Sequence, residues 1–497
     1  MPPHEIERSV KILLVHEILN NGRENDIAVV DEGRRVTYSQ LKQGIKKYRN
    51  RLYELGVRQG DRVGIFSRNS LEFIYSYFAT TSLGAINVPI NFQLSTRETA
   101  YILENAGVEH LLTYEPLTFE KKIVTQHDIS TFGDKISPDA PELPADFSEN
   151  NPCVIIYTSG TTGNPKGAVL SHKNLVHNTR QCKVFKCHRA CKSICVLPMY
   201  HCFGWTCTVL NTFYRGAELH VLRVFKPKEM VDMVREQEIT DIIIVPSIFK
   251  LVTALAKPED FKTVRFFMSG GTTLPDKIVD EFKLKFGRPI AEGYGLSEAS
   301  PCVFLTTHGE ERQGSCGKML YGEEIRIVDE NGRDVAQGEV GEVLVRGGQV
   351  MLGYWKNEKA TAEALDADGW LHTGDVGKVD ADGYYYIVNR IKEMIISMGE
   401  NIYPREVEEI VYQFKGIKDA AVLGVDDKLR GQVGACFYEV QDGKTVDARD
   451  LKRFLQKNLA LYKVPREFHE LKEIPRTSTG KISKRQILED YLAAKGN

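Results

Sequence analysis

Apolar residues at Leu41, Ile45, Tyr48, Leu52 and Leu55 step by four, three, four and three, the spacing of an amphipathic helix. Thr37 and Gln40 stand at capping-box spacing ahead of it, and Gly56 is placed to end it. Short apolar segments recur between helical stretches, at Arg62 to Phe66, Asn87 to Ile90, Cys153 to Tyr157, Glu218 to Leu222, Asp241 to Pro246 and Val264 to Met268. Several are continuously hydrophobic, as strands covered on both faces are. The alternation predicts layered α/β architecture with largely parallel sheets.

The pattern changes near residue 320. Glu324 to Val328 and Gly341 to Arg346 read as strands joined by an Asn331-Gly332 turn. A second turn at Asp380 to Gly383 precedes a strand over Tyr384 to Val388. An amphipathic helix follows at Arg405 to Phe414, then strand, strand, helix and strand patterns from Lys418 and a basic, Gly- and Ser/Thr-containing end. The predicted fold class is α/β. It has a large N-terminal body of layered α/β subdomains with a small β-barrel-like section, over 1–389. A hinge at 390–392 leads to a small, mobile α+β C-terminal domain over 393–497. No internal repeat or low-complexity linker is visible.

Composition narrows the class. Among 497 residues, Lys plus Arg is 65 and Asp plus Glu is 67, for a net charge of −2. That balance supplies no field for a polyanion, so no nucleic-acid partner is expected. A hydrophobic share of 42% with 27% charged residues describes an ordinary globule. Apolar runs such as Ile12 to Val15 and Ile242 to Val245 are far short of the ~18 residues of a spanning helix, so no transmembrane segment is expected. The N-terminus does not read as a signal peptide, and the expected location is cytoplasmic. The ten cysteines are scattered. Cys182, Cys187, Cys191 and Cys195, with His188 among them, have spacings that could bring thiols to one helical face, but lack the tight knuckles of zinc sites. Reduced, partly buried thiols are the preferred reading.

The strongest chemical signal is Tyr157-Thr-Ser-Gly-Thr-Thr-Gly-Asn-Pro-Lys-Gly167. An apolar strand runs into a loop of hydroxyls and glycines holding one lysine. Glycines admit backbone N–H groups to an anion, hydroxyls add donors, and Lys166 adds a charge, as a polyphosphate cradle requires. The spacing is not that of a Walker A loop, because Lys166 is followed by Gly167.

This loop resembles the phosphate loop of the adenylate-forming superfamily, which includes acyl-CoA synthetases, peptide-synthetase adenylation domains and firefly luciferase. Further motifs follow in the family's order: Ser269-Gly-Gly-Thr-Thr-Leu-Pro275, Gly293-Tyr-Gly-Leu-Ser-Glu298, Trp370-Leu-His-Thr-Gly-Asp375, Asn389-Arg-Ile-Lys392, Gly399-Glu-Asn-Ile-Tyr-Pro404 and Pro475-Arg-Thr-Ser-Thr-Gly-Lys481. The closest likeness is to bacterial fatty-acid-type acyl-CoA ligases. The resemblance implies an AMP-forming carboxylate–CoA ligase using ATP, Mg²⁺ and coenzyme A. Its expected partner is a small-molecule carboxylate, first a medium- or long-chain fatty acid and next an alicyclic or aromatic acid. Loading of a separate carrier protein is the alternative class, and a homodimer is left open.

The resemblance also implies site residues. ATP or AMP would be held by Thr158, Ser159, Gly160, Thr161, Thr162, Gly163 and Lys166, by Gly270, Gly271 and Thr272, and by Gly293, Tyr294, Gly295 and Ser297. Asp375 would take the ribose, with Arg390 beside it. Thr158 and Glu298 look like the magnesium ligands, an oxygen set that suits this ion. Lys481 would be the catalytic charge of adenylation and Lys392 the hinge. Gly399 and Glu400 would line the coenzyme A tunnel. His201 would contact or gate the carboxylate, against the alternative of a satisfied buried histidine. The acyl pocket candidates are Tyr200, Phe203, Trp205, Ser247 and Pro301, joined by Ile248 and the segment to Leu305. None is Lys or Arg, which favours an uncharged, apolar tail. Departures are Asn389 where relatives have Gly, and a basic stretch with Lys183, Lys186, Arg189 and Lys192, read as a solvated face.

Overall fold

A computed structural model describes residues 14–158, 165–182, 188–398, 400–477 and 480–495. The expected helix runs Tyr38–Glu54, with both halves of the Thr37/Gln40 capping box formed at 3.2 and 2.9 Å. Its stripe Leu41, Ile45, Tyr48 and Leu52 is buried, and Gly56 follows it at φ +96°, a conformation glycine adopts without strain.

Two large sheets form the body. In one, Ile27–Asp31, Glu218–Val221, Lys192–Cys195, Asp241–Ile244, Phe266–Ser269 and Ala291–Gly295 lie side by side, all parallel. Antiparallel strands Arg34–Thr37 at one edge and Cys302–Leu305 with Lys318–Met319 at the other complete nine. In the second, Thr125–Asp128, His110–Thr113, Arg62–Phe66, Ile86–Ile90 and Pro152–Thr158 are parallel neighbours. Lys166–Ser171 and Gly353–Tyr354 add to it antiparallel. The near-continuous burial of Ile86–Ile90 and Asp241–Ile244 is that of strands covered on both faces.

The expected β-barrel-like section is a four-stranded antiparallel sheet of Glu323–Val328, Gly341–Gly347, Leu371–Val379 and Tyr385–Arg390. The Asn331-Gly332 turn closes a small loop bridged at Val328 and Asp334; the two flanking strands pair across a longer connection than the sequence suggested. The turn Ile391–Glu393 separates this sheet from a five-stranded one built on Ile395–Ser397, Glu400–Ile402, Ile417–Asp427, Gly431–Val440 and Glu467–Leu471. The helices Pro404–Gln413 and Ala448–Asn458 pack there, in a core of its own. A closing helix, Lys484–Lys495, was not anticipated, because it buries only Ile487 and Tyr491 and leaves little apolar stripe to read. No helix among the described residues is long and apolar enough to cross a membrane.

The small domain docks on the body through backbone acceptors. Lys250 Nζ donates to the Lys418 carbonyl at 2.6 Å and Lys277 Nζ to that of Ile417 at 3.4 Å. The Arg405 guanidinium donates to the Ile387 carbonyl.

A buried histidine makes the body acid-sensitive. His172 is fully buried, and its Nδ1 accepts the Val15 N–H at 3.1 Å, a bond only the unprotonated nitrogen can make. Burial, with His16 adding, pushes its pKa from 6.5 down to about 3. The unfolded chain therefore binds this proton first, so its contribution is complete above pH 6.5 and is lost on acidification toward pH 3. We expect urea-unfolding stability to fall by about 1.4 kcal/mol per pH unit from this one proton, and His172→Asn to remove that slope. An unchanged slope in the variant would refute the assignment.

Candidate active site

A cleft of about 1150 Å³ opens between the two large sheets, the four-stranded sheet and the small domain. Its wall carries Thr158 and Lys166, then Gly271, Gly293, Tyr294, Gly295, Ser297 and Glu298, then Arg390 and Lys392, and lastly Lys481. Segments distant in sequence thus meet at one site.

The phosphate-loop ends are held as a hairpin rather than a strand–helix turn. Thr158 pairs with Lys166 and Tyr157 with Gly167, so both loop ends enter the cleft together. Ser159, Gly160, Thr161, Thr162 and Gly163 lie outside the described residues, as does Gly399. Tyr354, which the sequence did not single out, ties this edge to the acidic side. Its hydroxyl donates to Glu298 Oε1 at 2.8 Å, and Lys166 Nζ lies 5.2 Å from its ring centre. Only its position two residues past Leu352, in an unremarkable Gly-Tyr pair, marked it beforehand. Glu298, half-buried, and the Thr158 hydroxyl present oxygens to one cleft, which fits a hard cation that keeps waters and phosphate oxygens.

Asp375 is placed by strand pairing, directly across from Arg390. Its Oδ1 meets Arg390 Nε at 2.9 Å, and its Oδ2 accepts the Tyr294 hydroxyl at 2.5 Å. Burial pushes this carboxyl up, while the Arg390 charge opposes the shift. The carboxylate therefore lies just behind the wall made by Tyr294, Gly374 and Arg390 rather than lining it. Tyr294 is itself backed by Phe304 at 5.5 Å and 27°, and Phe304 by Tyr385 at 4.1 Å and 9°. That stack holds the Tyr294 ring in one plane.

Lys481 reaches the cleft from a tight turn. The Thr477 N–H donates to the Lys481 carbonyl at 2.7 Å, and Gly480 stands at φ +82°. A Cβ on Gly271 would lie 3.7 Å from Lys481 Cε, so the lysine stem runs along the Gly271 backbone. Burial, with the Arg390 charge adding, holds the Lys481 ammonium below its ordinary value. His201 stands nearby. Its Nδ1 accepts the Phe203 N–H at 3.1 Å, which leaves the proton on Nε2. Burial and the Lys481 charge lower its pKa to about 3, so it is a neutral donor.

The expected acyl wall is met in part. Tyr200, Phe203 and Pro301 line the cleft. Gly270 is not on the wall; it lies behind Phe203, and a Cβ there would meet that ring at 2.9 Å. Trp205 points the other way, into the core against Tyr77 at 4.0 Å and Phe73 at 5.6 Å. Ser247 is also off the wall; its hydroxyl sits under the Gly480 turn, 2.9 Å from where a Cβ would stand. Thr272 is exposed and off the wall, and Glu400 is exposed on the small domain away from the cleft. Of Cys182, Cys187, Cys191 and Cys195, expected as reduced thiols, Cys187 lies outside the described residues, Cys191 is disulfide-bonded and so not reduced, and Cys182 joins Cys207 and Cys302. Of the basic stretch, Lys183 and Lys186 lie outside the described residues, Arg189 is exposed and donates to the Asn21 carbonyl at 3.1 Å, and Lys192 is half-buried and donates to the Gln237 carbonyl at 3.0 Å.

Removing the carboxylate should loosen both of its partners. Asp375→Ala is expected to weaken ATP and AMP binding by about 1–3 kcal/mol, because buried donors lose their acceptor. Titration calorimetry checks this, and unchanged affinity would refute it.

A model of the AMP-binding enzyme family matches residues 17–355, and one of the C-terminal domain of AMP-binding enzymes matches 406–481. The chain is 34% identical over 473 residues to a feruloyl-CoA synthase of an Amycolatopsis species, covering 93% of this chain and 95% of the relative. It is 32% identical over 542 residues to a long-chain-fatty-acid–CoA ligase of Bacillus subtilis, covering 98% and 96%. Among solved structures, the o-succinylbenzoate–CoA synthetase of Bacillus subtilis in complex with ATP and magnesium superposes with a TM-score of 0.84, at 29% identity over 96% and 98% of the two chains. The chain therefore belongs to the AMP-binding enzyme family, the adenylate-forming superfamily its motifs resemble, as an AMP-forming acid–thiol ligase.

Proposed function

We propose that this ligase activates a monocarboxylic acid with an uncharged, apolar tail. In the first step the carboxylate attacks the α-phosphorus of ATP and releases pyrophosphate. In the second the coenzyme A thiol attacks the acyl-adenylate and releases AMP. The observation that carries the substrate class is the wall of Tyr200, Phe203, Met268, Leu296 and Pro301, none of which is charged. A medium- or long-chain fatty acid is the first reading. An aromatic acid is the second, supported by the two rings Tyr200 and Phe203 and by the feruloyl-CoA synthase relative. A panel of carboxylates assayed by pyrophosphate release with coenzyme A present tests the claim. Preference for dicarboxylates over monocarboxylates of equal length would overturn it.

In this reading Lys166, Arg390 and Lys481 stabilise the crowded phosphate charge of the first step, by position rather than by covalent chemistry. The neutral His201 donates from Nε2 to a substrate oxygen. Glu298 and Thr158 would hold magnesium, which would supply neutralisation of phosphate charge there. Glu298→Gln keeps the shape but removes the charge, so the magnesium concentration needed for half-maximal adenylation should rise at least tenfold. An unaltered magnesium titration would return Glu298 to a structural role.

Lys481 lies in the cleft while Glu400 does not, which supports one conformation for adenylation and another for thioester formation. Rotation of the 393–497 domain about the hinge at 390–392 would exchange them. Lys481→Ala should slow acyl-adenylate formation by ~10²-fold or more, as loss of one preorganised group does, and leave thiolysis of supplied acyl-adenylate nearly intact. Lys392→Pro, which stiffens φ in the turn Ile391–Glu393, should damage thiolysis more than adenylation. Rapid-quench timing of each half-reaction decides; equal losses in both steps for both variants would refute alternation.

A further inference from the structure

Behind the acyl wall, three thiols that are far apart in sequence meet. The Sγ atoms of Cys182, Cys207 and Cys302 lie within 4.8 Å of one another, all buried, with Cys207 and Cys302 at 3.2 Å. We propose that these three cysteines bind one soft, thiophilic metal ion of the Zn(II) or Cu(I) class in a three-sulfur site.

The spacing suits such an ion. Metal–sulfur bonds of about 2.3 Å in a trigonal array put the sulfurs about 4.0 Å apart, so the Cys207–Cys302 pair would open slightly around the ion. Thiolates are the ligands that select soft ions, and no hard oxygen ligand joins the cluster among the described residues. The three sulfurs come from three different elements: the C-cap of the helix His172–Gln181, the π-helical segment Phe203–Leu210 and the start of the strand Cys302–Leu305.

The backbone around the cluster is fixed before any ion arrives. Asn178 donates from Nδ2 to the Cys302 carbonyl at 2.8 Å and accepts the Cys302 N–H on Oδ1 at 3.0 Å. That pair pins the strand to the helix one turn before Cys182. Gln181 extends the clasp, donating to the Tyr321 carbonyl at 2.9 Å. A three-thiolate site around a divalent ion carries excess negative charge, and the half-buried Arg215 guanidinium acts electrostatically on Cys182. Cys302 also borders the cleft, which supplies a way in. The cluster shares its apolar core with Phe203, so occupancy would stiffen the acyl wall.

Cadmium is the probe, because its thiolate complexes absorb in the ultraviolet. One equivalent of Cd(II) added to the reduced full-length protein should give a sulfur-to-cadmium charge-transfer band that saturates at one ion per chain. Cys207→Ser and Cys302→Ser should each weaken binding at least tenfold, while Cys153→Ser and Cys436→Ser leave it unchanged. The absence of a stoichiometric band, or a band lost in Cys436→Ser and kept in Cys207→Ser, would overturn the proposal. X-ray absorption on the zinc-loaded unsubstituted protein needs no variant to fold. A shell of three sulfurs supports the site, and a shell dominated by nitrogen or oxygen refutes it.

Discussion

A desolvated ammonium at the seam between the small domain and the body is the constraint around which the cleft is arranged. Taking Lys481 from water disfavours its charged form, and the nearby Arg390 disfavours it further. Such a pair of cations is comfortable only when an anion lies between them, which is what a triphosphate or an acyl-adenylate brings. The body prepares the place. Asp375 fixes Arg390 from behind, the Tyr294–Phe304–Tyr385 stack closes one side, and the hairpin at Thr158 and Lys166 closes the other.

The same constraint explains how the small domain is held. Its docking contacts include body lysines reaching the backbone carbonyls of Ile417 and Lys418 and Arg405 reaching that of Ile387. The small domain keeps its own core around Val407, Ile417 and Leu451 and does not depend on the body for it. A unit that folds on its own core and docks through a few exchangeable hydrogen bonds can leave without exposing much apolar surface. The proposed alternation requires that combination.

Much of this arrangement was legible in the sequence. The Thr37/Gln40 capping box and the continuous apolar strands were read correctly because their signals are local. The residues Thr158, Lys166, Tyr294, Glu298, Arg390 and Lys481 come together at one cleft because each sits in a motif whose order is legible. What failed is what depends on tertiary packing. Tyr354 was missed because nothing in a Gly-Tyr pair reveals that strand Gly353–Tyr354 will lie beside Lys166. The helix Lys484–Lys495 was missed because two buried side chains over twelve residues make no stripe. The cysteines weighed as a cluster lie in one stretch of chain, whereas the thiols that meet come from three elements that only the fold brings together.

Trp205 and Cys207 lie on one irregularly wound segment. Over Phe203–Leu210 the backbone is wound as a π-helix, with hydrogen bonds to the fifth residue instead of the fourth. The family resemblance put Trp205 in the acyl pocket with Tyr200, but in the structure it packs against Tyr77 and Phe73. The segment also carries Cys207 to Cys302 while leaving Phe203 against Gly270. A single short segment thereby holds Phe203 on the cleft wall at its start, Trp205 in the core and Cys207 at the thiol cluster, with His201 just before it. Irregular winding costs hydrogen-bond geometry, and π-helical turns are found most often where function requires side chains aimed in several directions at once. Here the directions are the cleft, the core and the thiol cluster.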